Sequence, residues 1–368
     1  MNRRLGGRLV VCSGTAPLDS TFESLIDASD SETETTYQNI PLENYWIGGD
    51  KLHAQKFGSA LKTANSDSVL LIEESPRSVS LPFLLRAAQK REIPTVLWGH
   101  FSANSRPLGS TDIRDRFRIN MANKATAVLT YTEALADELA SFVERDRIFI
   151  AQNTLDTSTI FAIGDRLRTE GKAAVRERLG LRPGPIIAFI GRLIAEKGTA
   201  KLVDSVKALG KSDAQLVVIG DGPEKAAIQS AGIEAGLSVL MPGAIQDVNK
   251  SSPYLFASNV LLNPGYVGLS VVHAFALGLP VVAPGPREEF RFHSPEWVHI
   301  RSGHNGILTE SEESDAFALA INDVLQNQDQ YAANALRYAQ ESLSIDTMLD
   351  GIEAAIDFAS SAYTPGNN

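Results

Sequence analysis

The chain is poor in cysteine, since Cys12 is the only one in 368 residues. A single cysteine excludes an internal disulfide and every metal cluster that needs several thiolate ligands. The composition, 43% hydrophobic and 21% charged, is that of an ordinary globular protein. The length allows two domains of common size.

Positive charge is also scarce, because 34 Lys and Arg face 44 Asp and Glu, for a formal net charge of −10. Bulk nucleic-acid binding needs a basic surface, so we expect no nucleic-acid partner. We expect no transmembrane segment, while peripheral membrane contact through a local basic patch stays open. The N-terminal residues MNRRLGGRLVVCSG are interpreted as a first strand and not as a signal peptide, which predicts a cytoplasmic protein.

Several well-known catalytic motifs are missing from the sequence. The patterns HExxH, GxxxxGK[ST], GxSxG and Asp-x-Asp do not occur. Zinc proteases, P-loop nucleotidases and serine hydrolases therefore lack support. We predict no metal site and no cofactor.

Charge is absent altogether from one long stretch, residues 251–286, which contain no Asp, Glu, Lys or Arg. Pro264, Gly265, Gly268, Gly278 and Pro280 divide it into pieces too short for a membrane helix. It predicts a buried strand (259–263), a glycine turn, a helix (269–277) and a second buried strand (280–283). Strands that are apolar on both faces indicate a parallel sheet covered by helices, and the turn before the helix predicts a site for an anion such as phosphate.

Strand and helix signals alternate along the rest of the chain, which predicts an α/β fold of two Rossmann-like, doubly wound parallel-sheet domains facing a cleft. We place the first domain at residues 1–165 and the second at 166–344, with a last helix (345–361) packing back on the first. Residues 51–64 are predicted as a helix. Residues 153–185, which include a charged amphipathic helix over 172–179, are predicted as the connection between the domains. The acidic segment Asp27–Thr36 is predicted to be a mobile surface loop.

In the second domain, candidate binding groups follow the strand predicted over 186–190. Ligands of open α/β sheets bind beyond the carboxyl ends of the strands, where GRLIAEKG places Arg192 and Lys197. A guanidinium and an ammonium group suit a diphosphate. The alternative is a surface pair bonded to Glu196, but the nearby glycine turn favours an anion site. His273, on the helix after that turn, is either a core histidine or a donor to a ligand hydroxyl.

In the first domain, His100 follows the strand predicted over 94–98, where a reacting sugar or base would lie. An unpartnered loop histidine is an equally good interpretation. Glu73 and Glu74 follow the preceding strand. Paired carboxylates suggest acid–base catalysis, but neighbouring residues at a strand end point in opposite directions, which weakens that interpretation.

Four segments, GRLIAEKG, VVIGDGPEK, LLNPGYVGLSVVHAFALGLPVVAP and SGHNGIL, occur in the order seen in retaining glycosyltransferases of the GT-B fold, family 4. QNTLDTSTIF also resembles that family, and the resemblance covers most of residues 125–310. It implies a nucleoside-diphospho-sugar donor on the second domain, an acceptor on the first, and no metal. It implies catalytic roles for His100, Arg192 and Lys197, and donor contacts by Gly14, Gly191, Arg192, Lys197, Gly220, Ile245, Gly265, Tyr266, Gly268, Leu269, Ser270 and His273.

The chain departs from this family at two positions. The family usually carries two glutamates separated by seven residues, and here Gly265 and His273 stand in their places. The first glutamate commonly touches the sugar and the second the ribose hydroxyls. His273 could still bond the ribose, whereas Gly265 has no side chain to offer, which leaves the donor unidentified.

Three functions are compatible with these residues. The first is transfer of a sugar to an acceptor hydroxyl with retained configuration, in the biosynthesis of a glycan, polysaccharide or glycoconjugate. The second is epimerisation or hydrolysis of a sugar nucleotide, which needs no acceptor. The third is a non-catalytic binding protein, which the missing glutamates would favour. We rank them in that order, and the sequence leaves the base, the sugar, the acceptor and the oligomeric state open.

Overall fold

The computed structural model describes residues 1–14, 37–49, 51–65, 67–102, 107–109, 111–286 and 294–362. The predicted loop Asp27–Thr36 lies outside the described residues. The chain divides into two compact units, one made of residues up to 151 together with those from 349 onward, and the other of residues 152–348.

The first unit contains a four-stranded parallel sheet and two smaller strand pairs. Its strands are β1 (Val10–Gly14), β2 (Gln38–Leu42), β3 (Asn44–Ile47), β4 (Leu52–Gln55), β5 (Leu70–Glu73), β6 (Thr95–Gly99), β7 (Ala127–Thr130) and β8 (Ile148–Ile150). The parallel sheet has the order β5-β6-β7-β8, while β1 pairs with β2 in parallel and β3 with β4 in antiparallel fashion. Helices α1 (Gly58–Thr63), α2 (Leu81–Gln89), α3 (Ile113–Lys124) and α4 (Glu133–Leu139) complete this part of the unit.

The core of the first unit lies between the parallel sheet and its helices. Leu85 of α2, Met121 of α3 and Leu139 of α4 pack with Leu97 and Val128 from the strands, and all five are at most 3% exposed. Each of these strands and helices therefore contributes an apolar side chain to one core.

The second unit contains one six-stranded parallel sheet. Its strands are β9 (Ile186–Ile190), β10 (Gln215–Ile219), β11 (Ser238–Gly243), β12 (Val260–Leu262), β13 (Val281–Pro284) and β14 (Gly306–Thr309), in the order β11-β10-β9-β12-β13-β14. Strand order reverses between β9 and β12, which are hydrogen-bonded neighbours. In doubly wound folds this switch point is where ligands bind.

Helices cover both faces of this sheet. They are α5 (Thr157–Glu170), α6 (Lys172–Arg178), α7 (Leu202–Lys207), α8 (Lys225–Ala235), α9 (Val248–Ala257), α10 (Ser270–Ala276), α11 (Ser314–Gln326), α12 (Gln328–Ser342) and the start of α13 (Ile345–Ser361). Successive strand residues point to opposite faces. Ile186 and Ala188 accordingly pack with α5, α6, α9, α10 and α12, whereas Ile187 and Phe189 pack with α7 and α11. The prediction of an α/β fold with parallel sheets is confirmed.

The predicted helix over 51–64 is wrong in its first half. Residues 52–55 form β4, which pairs with β3, and only Gly58–Thr63 are helical. Gly48 and Gly49, which follow β3, both have positive φ, a backbone conformation that glycine adopts readily. Trp46 and His53 face each other across the pair with their ring centres 5.4 Å apart.

Residues 153–185 are more than a connection, because they form α5 and α6 on the core of the second unit. Ile160 and Ile163 of α5 and Val175 of α6 are buried there. Arg176 fixes α6 by donating from Nε to the Ala257 carbonyl (2.8 Å) and from Nη2 to Oδ1 of Asn259 (2.8 Å). Strand β14 is a further element that the sequence analysis did not predict.

No helix in the described part of the chain is both long and apolar enough to cross a membrane.

Within the first unit, α13 packs tightly against β8 at Gly351. A Cβ at this position would lie 2.8 Å from the carbonyl carbon of Ile150. We expect Gly351→Ala to lower the free energy of unfolding by about 1–3 kcal/mol, because overpacking outweighs the better helix propensity of alanine. Denaturant unfolding measures the change. Gly58→Ala is the matched control, since a Cβ there meets nothing within 4 Å; equal effects of both substitutions would contradict the packing.

Candidate functional site

The candidate site lies at the switch point of the second unit, beyond the carboxyl ends of β9 and β12. After β9 the chain passes through Gly191 and Arg192 to a 3-10 turn, Ala195–Lys197. After β12 it forms the glycine turn, from Pro264 to Gly268, that leads into α10. Two segments that the sequence predicts as anion-binding are therefore neighbours in space.

The two segments meet backbone to backbone at Gly198 and Gly265. A Cβ on Gly265 would lie 2.5 Å from the carbonyl carbon of Lys197 and 2.6 Å from the carbonyl oxygen of Glu196. A Cβ on Gly198 would lie 2.6 Å from the carbonyl oxygen of Pro264. The Tyr266 amide donates to the Glu196 carbonyl over 2.8 Å, which closes the contact. Gly265 is buried, and a side chain has no room there.

Lys197 connects the same segments through its side chain. Its Nζ donates to the Tyr266 carbonyl (2.9 Å) and lies 4.9 Å from the centre of the Tyr266 ring. A Cβ on Gly268 would be 3.6 Å from this ammonium group, so Lys197 lies over the glycine turn. Burial, and secondarily the positive charge of Arg192, lower the pKa of Lys197 to about 8, while Glu296 acts in the opposite direction. The contact with Glu196 that the alternative interpretation required is not among the ion pairs of the described residues.

A buried carboxylate, missed by the sequence analysis, supports this arrangement. Glu296 is 2% exposed, lies in the 3-10 helix Pro295–His299, and accepts a hydrogen bond from Nδ2 of Asn153 over 2.6 Å. Its second oxygen accepts from the Ser294 hydroxyl, which also lies 2.8 Å from the Val267 carbonyl. Residues distant in sequence thus hold the glycine turn, such as Ser294, 27 positions from Val267, and no local pattern reveals them.

The remaining residues of the turn have structural partners. Tyr266 is half-buried, Leu269 packs against the core below α10, and the Ser270 hydroxyl accepts from Nδ2 of Asn263 over 3.1 Å. Ser270 begins α10, so the positive end of this helix faces the turn.

His273 lies inside the core of the second unit. It is 5% exposed, and its Nε2 is 2.8 Å from the hydroxyl of Ser252, itself fully buried on α9. Burial lowers the pKa of His273 to about 4, so the ring is neutral at pH 7. This placement matches the interpretation of a core histidine, and the contact with a ribose hydroxyl stays a prediction.

Gly191 and Gly220 mark the ends of β9 and β10. The Gly191 amide donates to the Ile219 carbonyl over 3.0 Å, and a Cβ on Gly220 would collide with the Gly191 carbonyl. Ile245 follows β11, is half-buried and packs against the core. These three residues border the switch point.

Gly14 and His100 belong to the first unit. Gly14 ends β1, pairs with Leu42 of β2 and lies against the side chain of Asn44. His100 follows β6, and its ring centre lies 4.7 Å from that of Tyr131. The structure thus brings Lys197, Gly265, Tyr266 and Gly268 together in the second unit, with Arg192 close enough to act on Lys197 by its charge.

Comparison with solved structures defines the fold. The chain matches the crystal structure of Anabaena HepE in complex with UDP with a TM-score of 0.69 and 18% identity, over 97% of this chain and 93% of that one. It matches sucrose-phosphate synthase of Thermosynechococcus elongatus with a TM-score of 0.58 and 19% identity, over 79% and 74%. The protein therefore has the GT-B fold of glycosyltransferases, as expected.

Comparison of sequences shows which proteins the chain resembles. Residues 184–327 match the model of the family described as glycosyl transferases group 1. The 2-deoxystreptamine glucosyltransferase of Streptomyces kanamyceticus is 33% identical over 44% of this chain, a match that spans 43% of that enzyme's length. The lipopolysaccharide core biosynthesis glycosyltransferase LpsE of Rhizobium meliloti is 24% identical over 70% of this chain and 72% of its own length. The resemblance of residues 184–327 to the glycosyl transferases of group 1 is thus confirmed.

The close approach at Gly265 makes a prediction about the missing glutamate. Gly265→Ala is expected to lower the free energy of unfolding by about 1–3 kcal/mol, because Cβ meets backbone that cannot move aside. Gly265→Glu, which would restore the glutamate of the family pattern, is expected to destabilise at least as much. Thermal and denaturant unfolding measure both.

The control for this prediction is Gly268→Ala in the same turn. A Cβ there would meet only Nζ of Lys197 at 3.6 Å and the Ser294 hydroxyl at 3.8 Å, which are ordinary contacts. A Gly265→Glu variant with unchanged stability would show that the backbone contact is absent in solution.

Proposed function

We propose that this protein transfers a sugar from a nucleoside-diphospho-sugar to an acceptor hydroxyl with retention of configuration and without a metal ion. The single observation that carries the proposal is the Lys197 ammonium group, held over the glycine turn at the switch point of the second unit. HepE was solved with UDP and with UDP-glucose, which makes uridine nucleotides the first donors to test.

The diphosphate is proposed to bind between Lys197, Arg192 and the start of α10. Lys197 is half-buried, so its charge is weakly screened by water, whereas Arg192 is exposed and free to swing toward a ligand. The helix terminus adds partial positive charge to the same place. These groups together would balance the charge that develops on the departing diphosphate.

In the proposed reaction, the bond between the anomeric carbon and the diphosphate oxygen breaks. The acceptor oxygen forms the new bond on the same face, and its proton passes to the departing phosphate. His100 is proposed to contact the transferred sugar, as the family resemblance implies. Because Gly265 has no side chain and no room for one, sugar hydroxyls would be recognised by backbone groups of the turn or by other residues.

The relatives support a role in the biosynthesis of a glycan or glycoconjugate, since two of them are named 2-deoxystreptamine glucosyltransferase and lipopolysaccharide core biosynthesis glycosyltransferase. A cytoplasmic location stays a prediction. Consumption of donor without an acceptor would instead support a hydrolase or epimerase.

One prediction concerns the two cationic side chains, Arg192 and Lys197. Arg192→Ala and Lys197→Ala are each expected to weaken binding of the matching nucleoside diphosphate by about ten- to a hundredfold, because each removes a charge-assisted hydrogen bond. Isothermal titration or thermal shift measures the affinity, with and without EDTA. Lys207→Ala, an exposed lysine on α7, is the control. Full affinity in both variants would refute the assignment of the site, and loss of binding in EDTA would refute metal independence.

A further prediction concerns the pH dependence of diphosphate binding. The pKa of Lys197 is about 8, so the ammonium form that attracts the diphosphate is present below pH 8 and is lost above it. Affinity is therefore expected to fall by up to about tenfold per unit between pH 8 and 9.5. Titrations from pH 7 to 9.5 test this, with Lys197→Met as the matched variant. The affinity of Lys197→Met should be low and independent of pH over this range. If this variant shows the same pH dependence as the wild type, a group other than Lys197 is responsible for it.

A further inference from the structure

The adjacent carboxylates Glu73 and Glu74 have different environments at the end of β5. Glu73 is exposed, whereas the Glu74 side chain is only 3% exposed. The Glu74 amide donates to the Trp98 carbonyl over 2.7 Å, which sets the residue beneath the end of β6. A Cβ on Gly99 would lie 2.6 Å from Cβ of Glu74, so the backbone after β6 rests directly on this side chain.

Glu74 shares one cation with a second buried carboxylate. Nε of Arg118, on α3, lies 3.6 Å from Oε1 of Glu74, and its Nη1 donates to Oδ1 of Asp115 over 2.9 Å. Asp115 is fully buried and also accepts from the Gly109 amide over 3.0 Å. Oε1 of Glu74 has no hydrogen-bond partner among the described residues. Arg118 is therefore committed to Asp115 and leaves Glu74 incompletely paired.

The Glu74 carboxylate accepts a hydrogen bond from the backbone amide of Phe101. Phe101 is 1% exposed and has φ of 53°, a left-handed conformation that is unfavourable for a bulky residue. Such a conformation persists only where surrounding contacts enforce it, and it is common at functional sites. Glu74 thus holds the backbone at Phe101, the residue after His100. The His100 ring packs against that of Tyr131.

We propose that Glu74 is a positioning residue for sugar transfer, which sets the His100 side chain through the Gly99–Phe101 backbone. The inference rests on the proposed function, in which His100 contacts the sugar. If Glu74 served packing alone, an apolar side chain could replace it with little loss of stability, because burying an incompletely paired charge is unfavourable. The contacts to Phe101 and Gly99 give Glu74 a role that an apolar residue could not fill.

Burial raises the pKa of Glu74 to about 7 against the opposing effects of Arg118 and the Phe101 amide, and Glu73 and Asp115 raise it further. The carboxylate is the stronger acceptor for the Phe101 amide, and it is present above this pKa and lost below it. The position of His100 is therefore expected to depend on pH near 7 in the wild-type protein and not in Glu74→Gln.

The decisive experiment is a double-mutant cycle. Glu74→Gln is expected to lower kcat by about ten- to a hundredfold, because small misplacements of a contacting group have effects of this size. The KM of the donor and the affinity for nucleoside diphosphate should stay within about twofold, since Glu74 lies in the other unit from Lys197. In the His100→Ala background, Glu74→Gln should have little further effect. An equal loss in both backgrounds would overturn the proposal.

Glu73→Gln is the matched control, because it removes the neighbouring exposed carboxylate, and it should leave kcat unchanged. If Glu74→Gln fails to fold, Arg118→Lys replaces it, since this change keeps the charge but loosens the contact with Glu74. It should show the same dependence on His100, and an independent loss would again overturn the proposal.

A second measurement separates this inference from the proposed function. The NMR signals of the His100 ring, among the six histidines of the chain, should move in Glu74→Gln and not in Glu73→Gln. This result is independent of turnover. If the wild-type protein is inactive but the His100 signals still move in Glu74→Gln, only the proposed sugar transfer is refuted. If the signals do not move in Glu74→Gln, the positioning role is refuted.

Discussion

The contact between the Gly198 and Gly265 backbones is the constraint on which the rest of the second unit's site depends. It brings together the segments that follow β9 and β12, and it admits no Cβ on either side. Because the segments touch, the Lys197 side chain can cross from one to the other and end at the Tyr266 carbonyl. Gly265 stands where the family pattern has a glutamate, and its lack of a side chain allows the two backbones to approach.

Electrostatics at this contact explain why a buried carboxylate lies behind the turn. A half-buried ammonium group next to Arg192 would lose its proton more readily if no negative charge were near. Glu296, held by Asn153 and Ser294, offsets part of this effect, and the Ser294 hydroxyl joins it to the carbonyl of Val267. The position of the turn and the charge of Lys197 are therefore maintained by one hydrogen-bonded group of residues.

The sequence predicted the second unit better than the first, for physical reasons. Most of its strands are buried on both faces and form apolar runs, so β9 was predicted with the bounds observed, and β12 and β13 to within one residue at each end. The strands β3 and β4 have only four residues each, too few for their periodicity to be distinguished from that of a helix. Arg192, Lys197 and the turn could be selected because they follow such strands. Glu296 and the surroundings of Glu74 depend on tertiary contacts, which leave no local signal.

A shifted pKa alone does not identify a functional group, because the group must also lie where the fold binds ligands. Burial lowers the pKa of Lys172 to about 8, as it does for Lys197. Lys172, however, donates to the Ser258 carbonyl just before β12, at the amino end of the strand, where doubly wound sheets bind no ligand. Lys197 and Glu74 both lie beyond carboxyl ends, beneath loops with glycines that admit no Cβ. That coincidence of close backbone packing, buried charge and strand end supports the proposed binding role of Lys197 and the proposed positioning role of Glu74.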